Sequence, residues 1–340
     1  MSLTIPKVAI VINVNARSVS NEIIQDIKEV ATEEIVYISS SPKEAKKNFE
    51  KIVKNEVDVV LSAGGDGTFA ETITGVLNCE RIKTPAFGVL RLGTGNGVAE
   101  ALRVASFSKK NLIQELQQAK NPEARFQMPI LKIGKKYAPF AGTGLDATML
   151  RSYKTIRKLF NSIPFITETN RGVIDYSFAG TIAFWTYLLK KLPEIIIKNG
   201  EAKAYRIDFH GKRVGPSKKP GEVLYRGPYL FAAASTVRYY GFDVPIFPQA
   251  STLFGGYFQL RVCAMEIYEA AKKITNVLTG TLSDKKLWDF SCKEITMELT
   301  GGATFQIGGD SVGKIKKIRI GSENIMTVQG SAAAAPEPPT

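Results

Sequence analysis

The sequence predicts an open, mostly parallel α/β sheet with helices on both faces, followed by an antiparallel β domain. Three observations predict it. Apolar runs alternate with helix-like stretches through the first third of the chain. Two glycine-rich turns, Gly64-Gly65-Asp66-Gly67-Thr68 and Gly93-Thr94-Gly95-Asn96, each follow an apolar run and precede a helix-like stretch. After about Arg125 the texture changes to short alternating runs punctuated by glycine turns. A β-α-β-α order requires parallel strands joined by crossover helices, whereas short alternating runs with tight turns read as antiparallel pairing.

The elements follow in order. Residues 7–14 are a continuous apolar run, as expected of a parallel strand buried on both faces. Ile23, Ile24, Ile27 and Val30 repeat at helical spacing within 20–32. Residues 34–39 form a second strand. Ser41-Pro42-Lys43-Glu44 then combines a capping-box spacing with proline at the first helical position, opening a helix to about Lys54. The apolar runs 57–63 and 86–92 are the next strands. Helices are expected over 69–77 and 98–104, and a further one from Ser108 to about Ala119. Beyond Arg125, strands are expected over 128–133, 203–209, 229–234 and 258–263, with one helix over 171–192 and an exposed loop over 212–221. Residues 331–340 are low in complexity and read as disordered.

The 340 residues suggest two domains with ample core, and the composition, 44% hydrophobic and 23% charged, is that of a soluble globular protein. Cys79, Cys263 and Cys292 are odd in number and lack paired spacing. They imply neither a disulfide framework nor a zinc cluster and fit a reducing cytoplasm. No secretory h-region precedes the first strand. The longest apolar stretch, 177–189, is too short to span a bilayer and reads as a buried helix, with a shallow membrane contact as the alternative. The net charge is +13, and residues 151–228 carry 15 Lys and Arg against 6 Asp and Glu. Such a face suits an anionic partner, and it is equally consistent with a solvated surface.

The two glycine turns carry the chemistry. Glycine allows close backbone approach to a phosphate, and the first N–H groups of the following helix point at it. Two such turns at one edge of a parallel sheet could grip a nucleotide from both sides.

Gly64-Gly65-Asp66-Gly67-Thr68 with Glu71 three residues later, followed by Gly93-Thr94-Gly95-Asn96, resembles the diacylglycerol kinase and sphingosine kinase family of lipid kinases. NAD kinases are more distant relatives that share the first turn. The resemblance covers most of the chain. It implies a Rossmann-like ATP domain over 1–125, to which about 318–330 return, and a β-sandwich lipid domain over 126–317 with a helix inserted. The active site would lie between them.

The resemblance also assigns roles. Asn13 and Ser39 would border the nucleotide. Gly64, Gly65, Gly67 and Thr68 would face its phosphates, with Gly93, Thr94, Gly95, Asn96 and Glu71. Asp66 would orient Mg²⁺-ATP or accept the proton of the lipid hydroxyl. Asp146, within Gly142-Thr143-Gly144-Leu145-Asp146-Ala147, would stand at the cleft. Asp310, after Gly308-Gly309, would be the other candidate proton acceptor. The chain departs from the family pattern at Gly97 and Gly308, where Asp is usual, and at Gly255-Gly256, where Asp-Gly is expected in a loop that holds a structural Mg²⁺ in some bacterial members.

The implied activity is ATP- and Mg²⁺-dependent phosphorylation of a hydroxyl on a diacylglycerol-like or sphingoid-like lipid. It would take place on the inner face of the membrane, with the basic segment against anionic lipid and a homodimer left open. Phosphoryl transfer needs positioning, charge neutralisation and a base near the acceptor. On this reading Asp66→Ala abolishes transfer without unfolding the chain. Each residue has a plainer reading: a turn-forming Asp at 66, 146 or 310, and a solvated first-turn Glu at 71. A soluble-alcohol or NAD kinase and a nucleotide-binding relative without activity are the alternatives. A nucleic-acid role ranks last, since no recognition motif accompanies the charge.

Overall fold

The structure, a computed structural model, describes residues 5–16, 19–93, 95–145, 147–148, 191–240, 244–253 and 255–332. Thr94, Asp146, nearly all of the helix expected over 171–192, and residues 333–340 lie outside them. The chain divides into two compact units. One comprises Met1–Pro139, Val237–Asp243 and Glu323–Thr340; the other comprises Phe140–Thr236 and Val244–Ser322.

The first unit opens with β1 (Val8–Asn13), α1 (Asn21–Val30), β2 (Ile35–Ser39), α2 (Pro42–Lys54), β3 (Val59–Gly64) and α3 (Asp66–Leu77). It continues with β4 (Ala86–Arg91), α4 (Gly97–Ala101), α5 (Lys109–Lys120), β5 (Arg125–Ile133) and β6 (Lys136–Ala138). The strands β2-β1-β3-β4 lie side by side in that order, all parallel. Near the chain's end, Thr327 pairs in parallel with Phe87. Val8, Ile10 and Ile12 pack with Ile27 of α1 and with Leu112 and Leu116 of α5. Ala9 and Val11 are equally buried, and alternation turns them to the opposite face. This two-sided burial is why β1 reads as an unbroken apolar run.

Serine side chains start three of the helices. Ser20, Ser41 and Ser108 accept hydrogen bonds from the N–H groups of Ile23, Glu44 and Asn111, each cap contributing about 1 kcal/mol. The capping box expected at Ser41 closes differently. The Glu44 carboxylate accepts the Ser40 N–H (2.7 Å) and the Ser40 hydroxyl (2.8 Å).

Two boundaries differ from the sequence expectation. Residues 126–139 belong to the first unit, as an antiparallel β5–β6 hairpin. Thr74 on α3 anchors it, accepting the Tyr137 N–H (2.9 Å) and donating to the Tyr137 carbonyl (3.2 Å). Alternation alone cannot say which unit a hairpin packs on. The first two residues of the tail expected from 331 are held in place. Glu115 accepts the N–H (3.1 Å) and hydroxyl (2.7 Å) of Ser331, and the Ala332 N–H donates to the Arg103 carbonyl (3.0 Å).

The second unit contains β7 (Phe140–Gly144), β8 (Glu194–Asn199), β9 (Tyr205–Ile207), β10 (Val223–Pro228), β11 (Phe231–Ser235) and β12 (Phe258–Cys263). Then come α6 (Ile267–Lys272), α7 (Ile274–Thr279), β13 (Leu287–Cys292), β14 (Glu294–Ile307) and β15 (Asp310–Val328), of which the part up to Ser322 lies in this unit. Antiparallel pairing runs β14-β7-β11-β12-β13-β9, and β8 joins β14 to β10. The unit is the antiparallel β-rich region that the sequence implied. The short helices α6 and α7 were not expected. Every residue of β12 is buried, including Arg261, whose guanidinium pairs with Asp289 on β13 at 2.8 and 2.9 Å.

Candidate functional site

In the first unit, β1 leaves to β2 on one side while β3 and β4 lie on the other. The strand order therefore reverses between β1 and β3. Open α/β sheets bind ligands at such a switch point, beyond the carboxyl ends of the strands. Asn13 ends β1, Ser39 ends β2, Gly64 ends β3 and Arg91 ends β4. Asn13 and Ser39 are register partners.

The two glycine turns are in direct backbone contact. A Cβ on Gly93 would lie 2.2 Å from the Gly65 Cα and 2.8 Å from its nitrogen. One on Gly65 would lie 2.7 Å from the Gly95 carbonyl oxygen. Neither position admits a side chain without moving backbone. Within the second turn, Asn96 closes the loop on Gly93. Its amide donates to the Gly93 carbonyl (2.8 Å) and its Oδ1 accepts the Gly93 N–H (3.1 Å). Arg91 and Glu100 form an ion pair just outside it.

Asp66 locks the turns together. Its N–H donates to the Gly95 carbonyl (3.2 Å). Its Oδ2 accepts the Gly97 N–H (3.1 Å) and its Oδ1 the Val98 N–H (2.9 Å). The side chain is 5% exposed. The carboxylate thus caps the positive end of α4 from the first residue of α3. Sequence reasoning gave Asp66 a chemical role and missed this structural one. The signal lies in the chain spacing between two turns, which pairs them only once β3 and β4 are adjacent.

The start of α3 has a different character. Gly67 and Thr68 occupy the second and third helical positions, where N–H groups have no intrahelical acceptor. Gly67 is exposed. Twelve residues of helix stand behind it, so the end is suited to an anion. The Thr68 side chain packs on Gly64, where a Cβ would lie 2.4 Å from Thr68 Oγ1.

The remaining first-unit candidates lie beside this turn. Asn13 donates to the Glu71 carboxylate (3.5 Å) and accepts the Asn15 N–H (3.0 Å). Ser39 is buried, and its hydroxyl reaches the Ile12 carbonyl at 3.4 Å. The segment after β11 also belongs to this unit and packs on Gly97. A Cβ at Gly97 would stand 2.6 Å from the Tyr239 carbonyl oxygen and 3.3 Å from Val237 Cγ2. Glycine stands where the family pattern has Asp because this carbonyl fills the space. Arg238, within the same segment, has a buried Nε with no hydrogen-bond partner.

Residues 7–126 match the family model of the diacylglycerol kinase catalytic domain. Over 69 residues the chain is 38% identical to the probable lipid kinase YegS of Escherichia coli O17:K52:H18 (strain UMN026), covering 20% of this chain and 23% of the relative. Over 85 residues it is 27% identical to a diacylglycerol kinase of Staphylococcus haemolyticus (strain JCSC1435), covering 25% of each. The matched stretches span about a quarter of the length of these curated relatives. A crystal structure of a diacylglycerol kinase from Bacillus anthracis str. Sterne aligns with a TM-score of 0.62 at 14% identity, covering 96% of this chain and 97% of that one. A second structure from the same organism aligns at 0.64, again at 14% identity, over 96% and 98%. At this identity the likeness establishes the fold, a mixed α/β sheet with an antiparallel β-rich region.

Two candidates lie outside the matched residues. Asp146 is not among the described residues. Asp310 is exposed at the first position of β15, opposite Ile307. Gly308 and Gly309 join β14 to β15 with φ of 58° and 86°. Positive φ at both central positions of a two-residue hairpin is the requirement that favours glycine there.

Proposed function

We propose that the chain is an ATP-dependent lipid kinase that phosphorylates a hydroxyl of a diacylglycerol-like or sphingoid-like lipid at a membrane surface. The observation that carries this reading is the double glycine turn at the sheet's switch point, with the α3 N-terminus presented beside it. The phosphates of the nucleotide would rest on the N–H groups of Gly67 and Thr68. Asn13 and Glu71 would border the nucleotide at the end of β1. Packing of Gly65 against Gly93 holds the turns close enough to act as one cradle.

Mg²⁺ is implied by the family. It binds through one or two carboxylates plus substrate phosphate oxygens rather than in an all-protein cage. The described residues contain no group of three or more His, Cys, Asp or Glu side chains that could hold a metal. Asp66 has both oxygens on backbone N–H groups, and a carboxylate keeps further lone pairs. The residues fit a metal carried chiefly by the phosphates, with Asp66 adjoining it; the ion would neutralise charge on the transferring group. Asp310, or else Asp66, stays the candidate for taking the hydroxyl proton, and Asp146 stays a candidate for a place at the active site. Among the described residues no helix is long and apolar enough to cross a membrane.

A second reading, a nucleotide-binding relative without activity, is favoured by glycine at 308 and by Gly255-Gly256. Transfer of labelled terminal phosphate from ATP to dispersed diacylglycerol, monoacylglycerol, sphingosine, ceramide and phosphatidylglycerol, with NAD as the soluble control, separates the readings. Label on one lipid supports the proposal. Label on NAD alone indicates a soluble-alcohol kinase. ATP binding without label on any of them leaves the inactive reading or an acceptor outside the panel.

A further inference from the structure

The helix pair α6–α7 in the second unit is held in an unusual way. Ile267 is its one buried large apolar side chain, packed with Leu192, Leu230, Cys263, Met265 and Leu287. α7 buries no residue at all. Its sequence is nevertheless Ile-Thr-Asn-Val-Leu-Thr, and Ile274 and Leu278 are 51% and 57% exposed. These two, at i and i+4, share a helix face with Val277. Tyr268 on α6 is 50% exposed beside them in sequence. Large apolar side chains grouped on one exposed face and rimmed by polar residues mark a contact surface.

Polar contacts, not packing, fix the shape. Glu266 and Glu269 form a capping box at the start of α6. Lys286 reaches Glu269 at 2.6 Å, and Lys273 pairs with Asp284. Gly280 ends α7 at φ 71°, where a Cβ would meet Pro245 Cγ at 2.6 Å. These pairs neutralise the local carboxylates of Glu269 and Asp284. Lys272 and Lys285 are exposed, and among the described residues neither is paired with a carboxylate. Lys272 leans over the Tyr268 ring at 5.7 Å. Lys285 stands between Asp284 and Lys286, the partners of Lys273 and Glu269, so exposed apolar side chains have ammonium groups close by, the pattern of an element that lies in a lipid interface with apolar side chains among the acyl chains and ammonium groups at the head groups.

We propose that α6–α7 is a docking element for an anionic membrane surface, with Ile274, Val277, Leu278 and Tyr268 inserting and Lys272 and Lys285 contacting the head groups. The proposal deepens the lipid-kinase reading and rests on it for the choice of a membrane as partner. A second copy of the chain is the less suited occupant, because each copy carries a net +13 and like charges oppose association.

The test uses the full chain without ATP. Co-sedimentation with phosphatidylglycerol/phosphatidylcholine vesicles is compared with phosphatidylcholine vesicles alone. The variants are Ile274→Ser with Leu278→Ser, and Lys272→Glu with Lys285→Glu. All four side chains are exposed, so thermal melting should match the parent and confirm folding. Each double variant is expected to weaken binding to the anionic vesicles by roughly tenfold or more. Parent-like sedimentation of either folded variant overturns the proposal. So does a parent chain that ignores anionic vesicles, or an apolar-face variant that loses a dimer on size exclusion while still binding vesicles. Vesicle binding intact in a chain that labels no lipid would sink the kinase reading and leave the docking element standing.

Discussion

Replacing Asp66 with Ala separates a latch from a purely chemical group. The side chain is buried and accepts two backbone N–H groups at 3.1 and 2.9 Å, both at the start of α4. Hydrogen bonds to a charged group contribute about 1.5–3 kcal/mol each. Alanine removes both and leaves two N–H donors in a site too enclosed to hydrate freely. Allowing for some entry of water, the loss is about 3–5 kcal/mol. For a unit of roughly 150–250 residues, each kcal/mol shifts the melting temperature by about 2–4 °C, so a fall of roughly 10 °C is expected. Asp66→Asn keeps one acceptor and should fall about half as far. Thermal melting monitored by circular dichroism reads this directly. A group that serves only chemistry would leave the melting temperature unchanged or raise it. A change within about 1 °C for both variants would refute the latch. Loss of transfer in Asp66→Ala therefore assigns a chemical role only where the folded fraction has been measured, ideally well below the variant's melting point. The expectation of abolished transfer with an intact fold stands beside this loss of stability, and the same two measurements test both.

The remaining predictions concern other parts of the chain. Gly97→Asp, which restores the family pattern, should destabilise the second turn and weaken ATP binding, because its Cβ would stand 2.6 Å from the Tyr239 carbonyl oxygen; isothermal titration with ATP would show wild-type affinity if that contact were soft. Glu115→Ala should free the chain end at Ser331 and make it cleavable by a nonspecific protease at concentrations that spare the parent, and unchanged cleavage would remove Glu115 as the tether. Asp289→Ala leaves the buried Arg261 guanidinium unpaired and should cost about 3–5 kcal/mol, read as a shift of the denaturant midpoint. Burial pushes the Cys263 thiol up to about 11 and raises Cys292 further. Both thiols are then neutral at pH 8 and should resist alkylation until the chain is unfolded; fast native labelling of either would contradict their burial.

Much of the first unit was legible because its signals are local. A strand buried on both faces is an apolar run, as in β1. A serine that caps a helix precedes its first turn, as at Ser20, Ser41 and Ser108. The glycine turns announced themselves because a backbone approach closer than a Cβ permits leaves few other residues possible. The helices α3 and α4 began earlier than expected, at Asp66 and Gly97, since the turn residues themselves form the first helical turn. The second unit was less legible. Alternation identified strands such as β12, but not the pairing of β11 between β7 and β12, which joins segments distant in the chain. The helices α6 and α7 were hidden because they are short and one of them buries nothing.

By itself, then, the sequence determined a parallel α/β unit with two phosphate-type turns, because strand burial, helix caps and glycine spacing each act over a few residues. Only the tertiary structure decided what those turns do to each other. The Asp66 carboxylate finds the N–H groups of Gly97 and Val98 because β3 and β4 pair in register, Gly64 opposite Arg91. Gly97 is confined by a carbonyl more than a hundred positions away. Contacts of that range depend on loop closure and packing of the whole unit, and no local pattern encodes them.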